Sequence, residues 1–457
     1  MDTAMGIESR HGVSRRAFIG GAAAALAAPA RAFAGTGAAN SLILFVHGSG
    51  DSASHWMTQI WRFESNGFAR DRLIALNMFD PLARNDDTTA QPGRSSSGAQ
   101  RDQLAATLKQ ALADTGAGQA IIIAHGRGGL TARNLLTEQS IALSVSRLIL
   151  CGAPNHGLFD GDQFIGSEYN ARGAFLRRLN SGPSEAPPGV ATLNLMSDGY
   201  DRYAQRDAAV AGKPGQRGPV PEGPTLTGAL NVVLGPYDHR ELAYSPRAFR
   251  EMARFLLGRD PDRIAITPEA EPVLEGIVTG FPKGTPTNRP LADATGEIYR
   301  VDAQSGVRLG DPILQKITAA DGRWGPVTVR PDWPLEFALT APGHPATHVY
   351  RAPFPRSTRM LNLRPSRPLT KNDRDSAGVV TMLRPRGYFG LPRDVISLGG
   401  REPEDIARGV PTDAATTLHV SAQDMDKSVV GLFNEERIAA RVWPSSEERI
   451  SVIELTS

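Results

Sequence analysis

The stretch Ile121-Ile122-Ile123-Ala124-His125-Gly126-Arg127-Gly128-Gly129-Leu130-Thr131 carries the strongest chemical signal in the chain. A β-branched run enters a glycine-rich turn and leaves it in an amphipathic segment, so strand, tight turn and helix are expected in that order. Such a unit lifts one side chain out of the end of a sheet and sets it beside a helix N-terminus, whose dipole favours developing negative charge. Those conditions suit a nucleophile. The apex residue, however, is Gly126, which has no side chain. Acyl transfer at such a turn needs a hydroxyl, a histidine to deprotonate it, an acid to fix the histidine tautomer, and amides to hold an oxyanion. The hydroxyl is missing.

The elements that must carry such a site alternate along residues 40–258. Ser41 to Val46 is a nearly continuous apolar strand, as for the interior of a parallel sheet, and ends in His47-Gly48-Ser49-Gly50-Asp51-Ser52. Leu73 to Leu76 reads as a strand, and Leu104, Leu108 and Leu112 recur every four residues along a helix that Gly116 and Gly118 stop. A helix follows the glycine turn from Leu130 to Thr137. Val145 to Leu150, Ala191 to Met196 and Leu230 to Leu234 are further strands, and Pro246 to Leu257 is the closing helix. This alternation predicts an α/β fold with a doubly wound parallel sheet.

Three motifs in this order carry a resemblance. Val46-His47-Gly48, the Ala124–Gly129 turn in the place of G-x-S-x-G, and Ala153-Pro154-Asn155-His156-Gly157 resemble bacterial lipases and extracellular polyester hydrolases of the α/β-hydrolase superfamily. The resemblance implies a Ser-His-Asp mechanism with Gly126 standing at the nucleophile position. It also implies oxyanion-hole amides at Ser49 and Arg127. The superfamily order of nucleophile, acid and histidine places the acid in Ser197-Asp198-Gly199-Tyr200-Asp201, with Asp201 preferred and Asp198 the alternative. The base is implied at His239, just after the last strand, with Asp238 a loop hydrogen-bonder. Residues 159–188 are either a lid or a surface loop.

Fifty Lys and Arg nearly balance 48 Asp and Glu over 457 residues, so no nucleic-acid partner is expected. The one cysteine, Cys151, excludes an intrachain disulfide framework and follows an apolar strand, so it reads as core. No cofactor is expected, and no cluster with metal-ligand spacing is visible. Ser14-Arg15-Arg16-Ala17-Phe18-Ile19, an alanine-rich stretch to Ala30 and Ala32-Phe33-Ala34 resemble a twin-arginine export signal over residues 1–34. That predicts a periplasmic or extracellular protein with no integral membrane segment in its mature chain.

Beyond Gly258 the helical period fades. Short alternating runs between Gly, Pro, Asn and Asp turns predict one or two antiparallel β-sandwich domains, at 268–364 and 365–457. Glu275 to Val278 through Asp321-Gly322-Arg323-Trp324-Gly325 resembles a carboxypeptidase-regulatory or transthyretin-like module. Trp324, Trp333 and Trp443 of the β-rich half either touch a polymer or acyl chain or pack in the core, with core packing preferred.

The function implied is carboxylic-ester hydrolysis, on a lipid, polyester or small ester, in a form inactive or impaired for want of a nucleophile. A laboratory replacement, a natural variant that binds without cleaving, or another nucleophile would each fit the glycine. Ser49 and Ser52 are the nearest hydroxyls for the last. The alternative function is a non-catalytic exported lipid- or polymer-binding protein on the same scaffold.

Overall fold

The computed structural model describes residues 40–203 and 223–457. The expected export signal lies outside them. Six strands form one parallel sheet: β1 (Leu42–Val46), β2 (Leu73–Ala75), β3 (Ala120–His125), β4 (Val145–Cys151), β5 (Ala191–Ser197) and β6 (Leu230–Leu234), in the order β2-β1-β3-β4-β5-β6. Alternation along β1 explains the layering. Leu42, Leu44 and Val46 pack in one cluster with Leu104 and Leu108 of α2 (Ser97–Thr115). Ile43 and Phe45 face a second cluster, with Ile60 and Phe63 of α1 (Met57–Ser65) and Phe249 and Met252 of the C-terminal helix Pro246–Leu257. Helices therefore cover both faces, and the strands are apolar on both sides.

The helix ends follow their sequence signals. Ser96 caps α2 by accepting the Ala99 N–H at 3.1 Å, and Gly116 ends it at φ 63°. The last helix starts on Ser245 and Pro246 and stops at Gly258, φ 70°. The turn helix α3 spans Arg127–Leu135, starting three residues before the expected Leu130 because the glycines belong to its first turn.

Thirteen strands follow, most where the alternation put them. They are β7 (Val273–Val278), β8 (Thr295–Arg300), β9 (Leu314–Ile317), β10 (Arg323–Thr328), β11 (Leu335–Thr340), β12 (Ala346–Arg351), β13 (Thr358–Leu363), β14 (Gly378–Leu383), β15 (Ile396–Leu398), β16 (Ala415–Val420), β17 (Val429–Phe433), β18 (Glu436–Ala440) and β19 (Arg449–Glu454). A seven-stranded sheet runs β9-β8-β11-β12-β19-β14-β16, with three-stranded sheets β10-β7-β13 and β15-β17-β18 beside it. Most pairs are antiparallel, but β19 inserts parallel to both β12 and β14. The last strand thus draws residues 268–364 and 365–457 into one sheet.

The β-rich region also shares a core with the parallel-sheet domain. Met57 and Trp61 of α1 pack among Leu274, Val278, Trp324 and Phe337, and the Trp61 indole donates to the Ser357 carbonyl at 2.9 Å. Trp324 and Trp443 are buried, and Trp333 is partly buried against the cluster that holds Trp324. No helix among the described residues is long and apolar enough to cross a membrane.

Candidate active site

The strand order reverses direction at β1 and β3, and open parallel sheets form their clefts at that point. Both glycine turns of the sequence arrive there. Gly126 has φ 51° and ψ −117°, the strained turn conformation that glycine adopts at little cost. Its neighbours are glycines for a different reason. A Cβ on Gly128 would lie 2.7 Å from the carbonyl oxygens of both Val46 and His47, and one on Gly129 would lie 2.7 Å from the Ala153 Cβ. The helix can press against β1 and the loop after β4 only without side chains at 128 and 129.

His239, five residues past β6, points its ring at this turn. Its Nδ1 lies 3.0 Å from each oxygen of Asp201, which is fully buried and also accepts the Tyr203 N–H at 2.8 Å. Two carboxylate oxygens at that distance require the proton on Nδ1, which leaves the Nε2 lone pair facing the turn. A Cβ on Gly126 would sit 2.9 Å from that Nε2. The imidazole therefore leans into the space a side chain at 126 would use. Asp198 lies elsewhere, against Gly235 behind the strand end. Asp201 is the carboxylate that the fold brings to His239.

Ser49 and Arg127 both line a cavity of about 440 Å³ with His125, Gly126 and His239. Arg127 opens α3, so its amide belongs to the first turn, where N–H groups have no intrahelical acceptor. Its side chain has another task. It is buried, forks onto Glu168 at 2.6 and 2.8 Å, and donates to the Pro81 and Ser95 carbonyls at 3.1 and 2.8 Å. Opposite charge at that distance keeps Arg127 protonated despite burial. The clamp pins residues 159–173 to the turn, and Leu158 and Tyr169 form cavity wall.

His47 is structural. Its Nδ1 donates to the Gly48 carbonyl at 2.9 Å, its Nε2 accepts the Met78 N–H at 3.0 Å, and burial lowers its pKa to about 4. The Cys151 thiol is wholly buried and pushed far up by desolvation, which leaves it unreactive. Ser52 pairs with Ser54 at 2.8 Å and lines a different cavity from Ser49.

Sequence reasoning missed several residues here. Arg240 ion-pairs with Asp51 at 2.7 Å; burial raises that carboxyl, but its neighbours, the Arg240 guanidinium foremost, outweigh this and hold it far below the carboxylate range. Tyr203 meets the His239 ring edge-on at 5.0 Å. Tyr388 comes from the β-rich region to line the cavity, under the Arg240 guanidinium at 4.7 Å. Arg240 could have been suspected beside His239, whereas nothing in a local window connects Tyr388 to residue 239.

The alpha/beta hydrolase family model matches residues 43–273, just over half the chain. The chain belongs to the alpha/beta hydrolase family. A lipase C-terminal domain model matches residues 272–368 of this chain, the stretch that begins the β-rich region. No curated protein matches. Similar solved structures include Aspergillus fumigatus lipase B, at 17% identity over 52% of this chain and 56% of that one, TM-score 0.36. The mature lipase BlEst2 of Bacillus licheniformis is 17% identical over 48% of this chain and 92% of its own, TM-score 0.33. Phospholipase PlaB of Legionella pneumophila is 12% identical over 73% and 95%, TM-score 0.33. The chain thus spans little more than half the length of the Aspergillus lipase.

Proposed function

We propose that this hydrolase is a carboxylic-ester hydrolase by construction, acting on a lipid, polyester or small ester, whose present form is inactive or severely impaired because Gly126 stands where the serine nucleophile belongs. The observation that carries this reading is the Asp201–His239 pair, oriented so that Nε2 comes within 2.9 Å of the Cβ position of residue 126. In the complete mechanism a hydroxyl at 126 would attack the ester carbonyl while His239 Nε2 takes its proton. Asp201 would hold the Nδ1–H and stabilise the imidazolium, and the Ser49 and Arg127 amides would receive the oxyanion. His239 would then return the proton to the departing alcohol, and water would release the acid by the same route. The lining of Leu82, Pro154, Leu158 and Tyr169 suits the acyl part of such a substrate. The twin-arginine motif supports action outside the cytoplasm. Tyr388 in the cavity wall supports a β-rich region that completes the substrate site.

The test is hydrolysis of short- and long-chain p-nitrophenyl esters by the chain as it stands and by Gly126→Ser. Loss of a triad nucleophile costs on the order of a million-fold in turnover, so the serine form should exceed the parent by several orders of magnitude. His239→Ala in the serine background should abolish the gain. Comparable turnover by the parent would move the nucleophile to Ser49 or Ser52. Inactivity of both forms, with ligand binding retained, would favour an exported lipid- or polymer-binding protein.

A further inference from the structure

Beside the Asp201–His239 pair, three side chains from separate segments converge on one buried point. Asp51 lies in the loop after β1, His55 in the short turn Ala53–Trp56 and His125 at the end of β3. All are buried, and one donor atom from each lies within 4.8 Å of the others.

Their hydrogen bonding does not close. His125 Nε2 is 3.0 Å from the carbonyl oxygen of His239, which can only accept, so Nε2 carries the proton. Nδ1 is then a bare lone pair, 3.5 Å from Asp51 Oδ2. Asp51 is ion-paired through its other oxygen with Arg240 and has no proton to offer. Two acceptors face each other. His55 stacks on His125, with centroids 4.6 Å apart and planes 22° apart, and both of its ring nitrogens are buried with no hydrogen-bond partner. A second proton on His125 would satisfy the Asp51 contact and leave His55 empty. A cation among the three donors satisfies Asp51, His125 Nδ1 and one of the two His55 nitrogens, which neither protonation state of His125 does.

We propose that Asp51, His55 and His125 bind a divalent transition metal of the zinc type. Two imidazoles and one carboxylate are a borderline donor set that suits zinc and its neighbours better than calcium or magnesium. Zinc bonds of about 2.0–2.1 Å in a tetrahedron place donors about 3.3 Å apart. The His125–Asp51 pair, at 3.5 Å, is already close to that, and the His55 donor, within 4.8 Å, would have to move in to complete the set. Gly48 keeps the place clear: a Cβ there would sit 2.6 Å from His125 Nδ1 and 3.1 Å from Asp51 Oδ2. Arg240 orients the carboxylate from outside, as second partners of metal ligands do. Two of the three ligands, Asp51 and His55, line a cavity of about 340 Å³ together with Ser52 and Ser54, a route by which a metal would reach them. The metal would tie the loop after β1 to the glycine turn and, through His125 Nε2–H, to the backbone of His239. This goes against the sequence reading of no metal, because positions 51, 55 and 125 form no local ligand motif. It does not rest on the ester-hydrolase reading.

The full chain, made without a histidine tag, is stripped with chelator, loaded with Zn²⁺ or Co²⁺ and desalted, and its metal is counted by mass spectrometry. About one metal per chain should remain, and the cobalt form should show the intense visible bands of four-coordination. His55→Gln should fall to background while His239→Ala keeps its metal. No retention by the parent, or equal retention by His55→Gln, would overturn the proposal. Loss in His239→Ala would also overturn it, because the metal would then sit on the Asp201–His239 pair. If His55→Gln fails to fold, the cobalt spectrum of the parent decides: a six-coordinate, water-like spectrum refutes the site.

Discussion

Arg384, the first residue after β14, reaches from the β-rich region into the loop that carries His239. It lies against Asp238 at 2.8 Å and Glu241 at 2.6 Å, and donates to the Tyr244 hydroxyl at 3.1 Å. All of these groups are buried, and Asp238, the residue before His239, is wholly so. Breaking a buried ion pair from one side costs about 3–5 kcal/mol, because the remaining charge stays desolvated. Here the loss should fall at the lower end. Asp238 would keep the N–H groups of Arg240, Glu241 and Tyr388, and Glu241 would keep Arg393 at 2.7 Å. Arg384→Met should therefore destabilise the chain by about 3 kcal/mol, a fall in Tm of roughly 3 °C for a chain of this length unfolding as one unit. In the Gly126→Ser background the same change should lower kcat by about 100-fold, the usual effect of misplacing a catalytic group by about 1 Å. Thermal scans and p-nitrophenyl ester kinetics measure the two effects separately. An unchanged Tm would refute the stability argument. A lowered Tm with kcat intact would refute the coupling between this contact and His239.

Other consequences follow from the same geometry. Gly128→Ala should destabilise by about 1–3 kcal/mol or block folding, because its Cβ meets two backbone carbonyls. Gly118→Ala, where a Cβ meets nothing within 4 Å, should change the denaturation midpoint little. Glu336 is buried under the Arg308 fork, with His348 Nδ1 at 2.6 Å; burial raises its carboxyl, but Arg308 and His348 outweigh this and hold it below the ordinary value. Burial also lowers His348. In both cases the unfolded chain binds the proton first on acidification. Stability should drop as pH falls below about 6.5 for the histidine, and again below about 4.3 for the glutamate, and Glu336→Gln should flatten the second drop in denaturation midpoints. Cys151 should resist thiol reagents in the native chain and release one thiol per chain on denaturation; rapid native labelling would contradict its burial.

The parallel-sheet domain was legible because its signals are local. Each apolar run ends in a glycine turn, and caps such as Ser245-Pro246 and Gly258 mark their own helix. The place of His239 near the glycine turn was legible for a similar reason, since it lies in the loop after the last strand of the parallel sheet. The choice between Asp198 and Asp201 was not, because both lie in one turn and only the path of that turn sends one carboxylate forward to His239 and the other back against Gly235. The joining of residues 268–364 with 365–457 was hidden too. Strand β19 pairs with β12 across about a hundred residues, and no periodicity reports a partner at that distance. Arg384, Tyr388 and the Asp51–His55–His125 cluster belong to the same class, being contacts between segments that are each unremarkable alone.

Glycine at 126 has a physical consequence of its own. At φ 51° and ψ −117° any other residue carries on the order of 1–3 kcal/mol of backbone strain. A side chain there must also push back an imidazole that Asp201 holds by two contacts. A serine at this position is therefore a strained residue that the surrounding sheet, helix and ion pairs must over-determine. The chain keeps that surrounding structure: the close helix approach at Gly128 and Gly129, the Arg127–Glu168 clamp and the Asp201–His239 pair. With glycine at the apex these constraints hold a turn whose conformation glycine adopts at little cost. The present form should accordingly be the more stable one and the serine form the more active one, the opposition expected where a strained residue performs the chemistry.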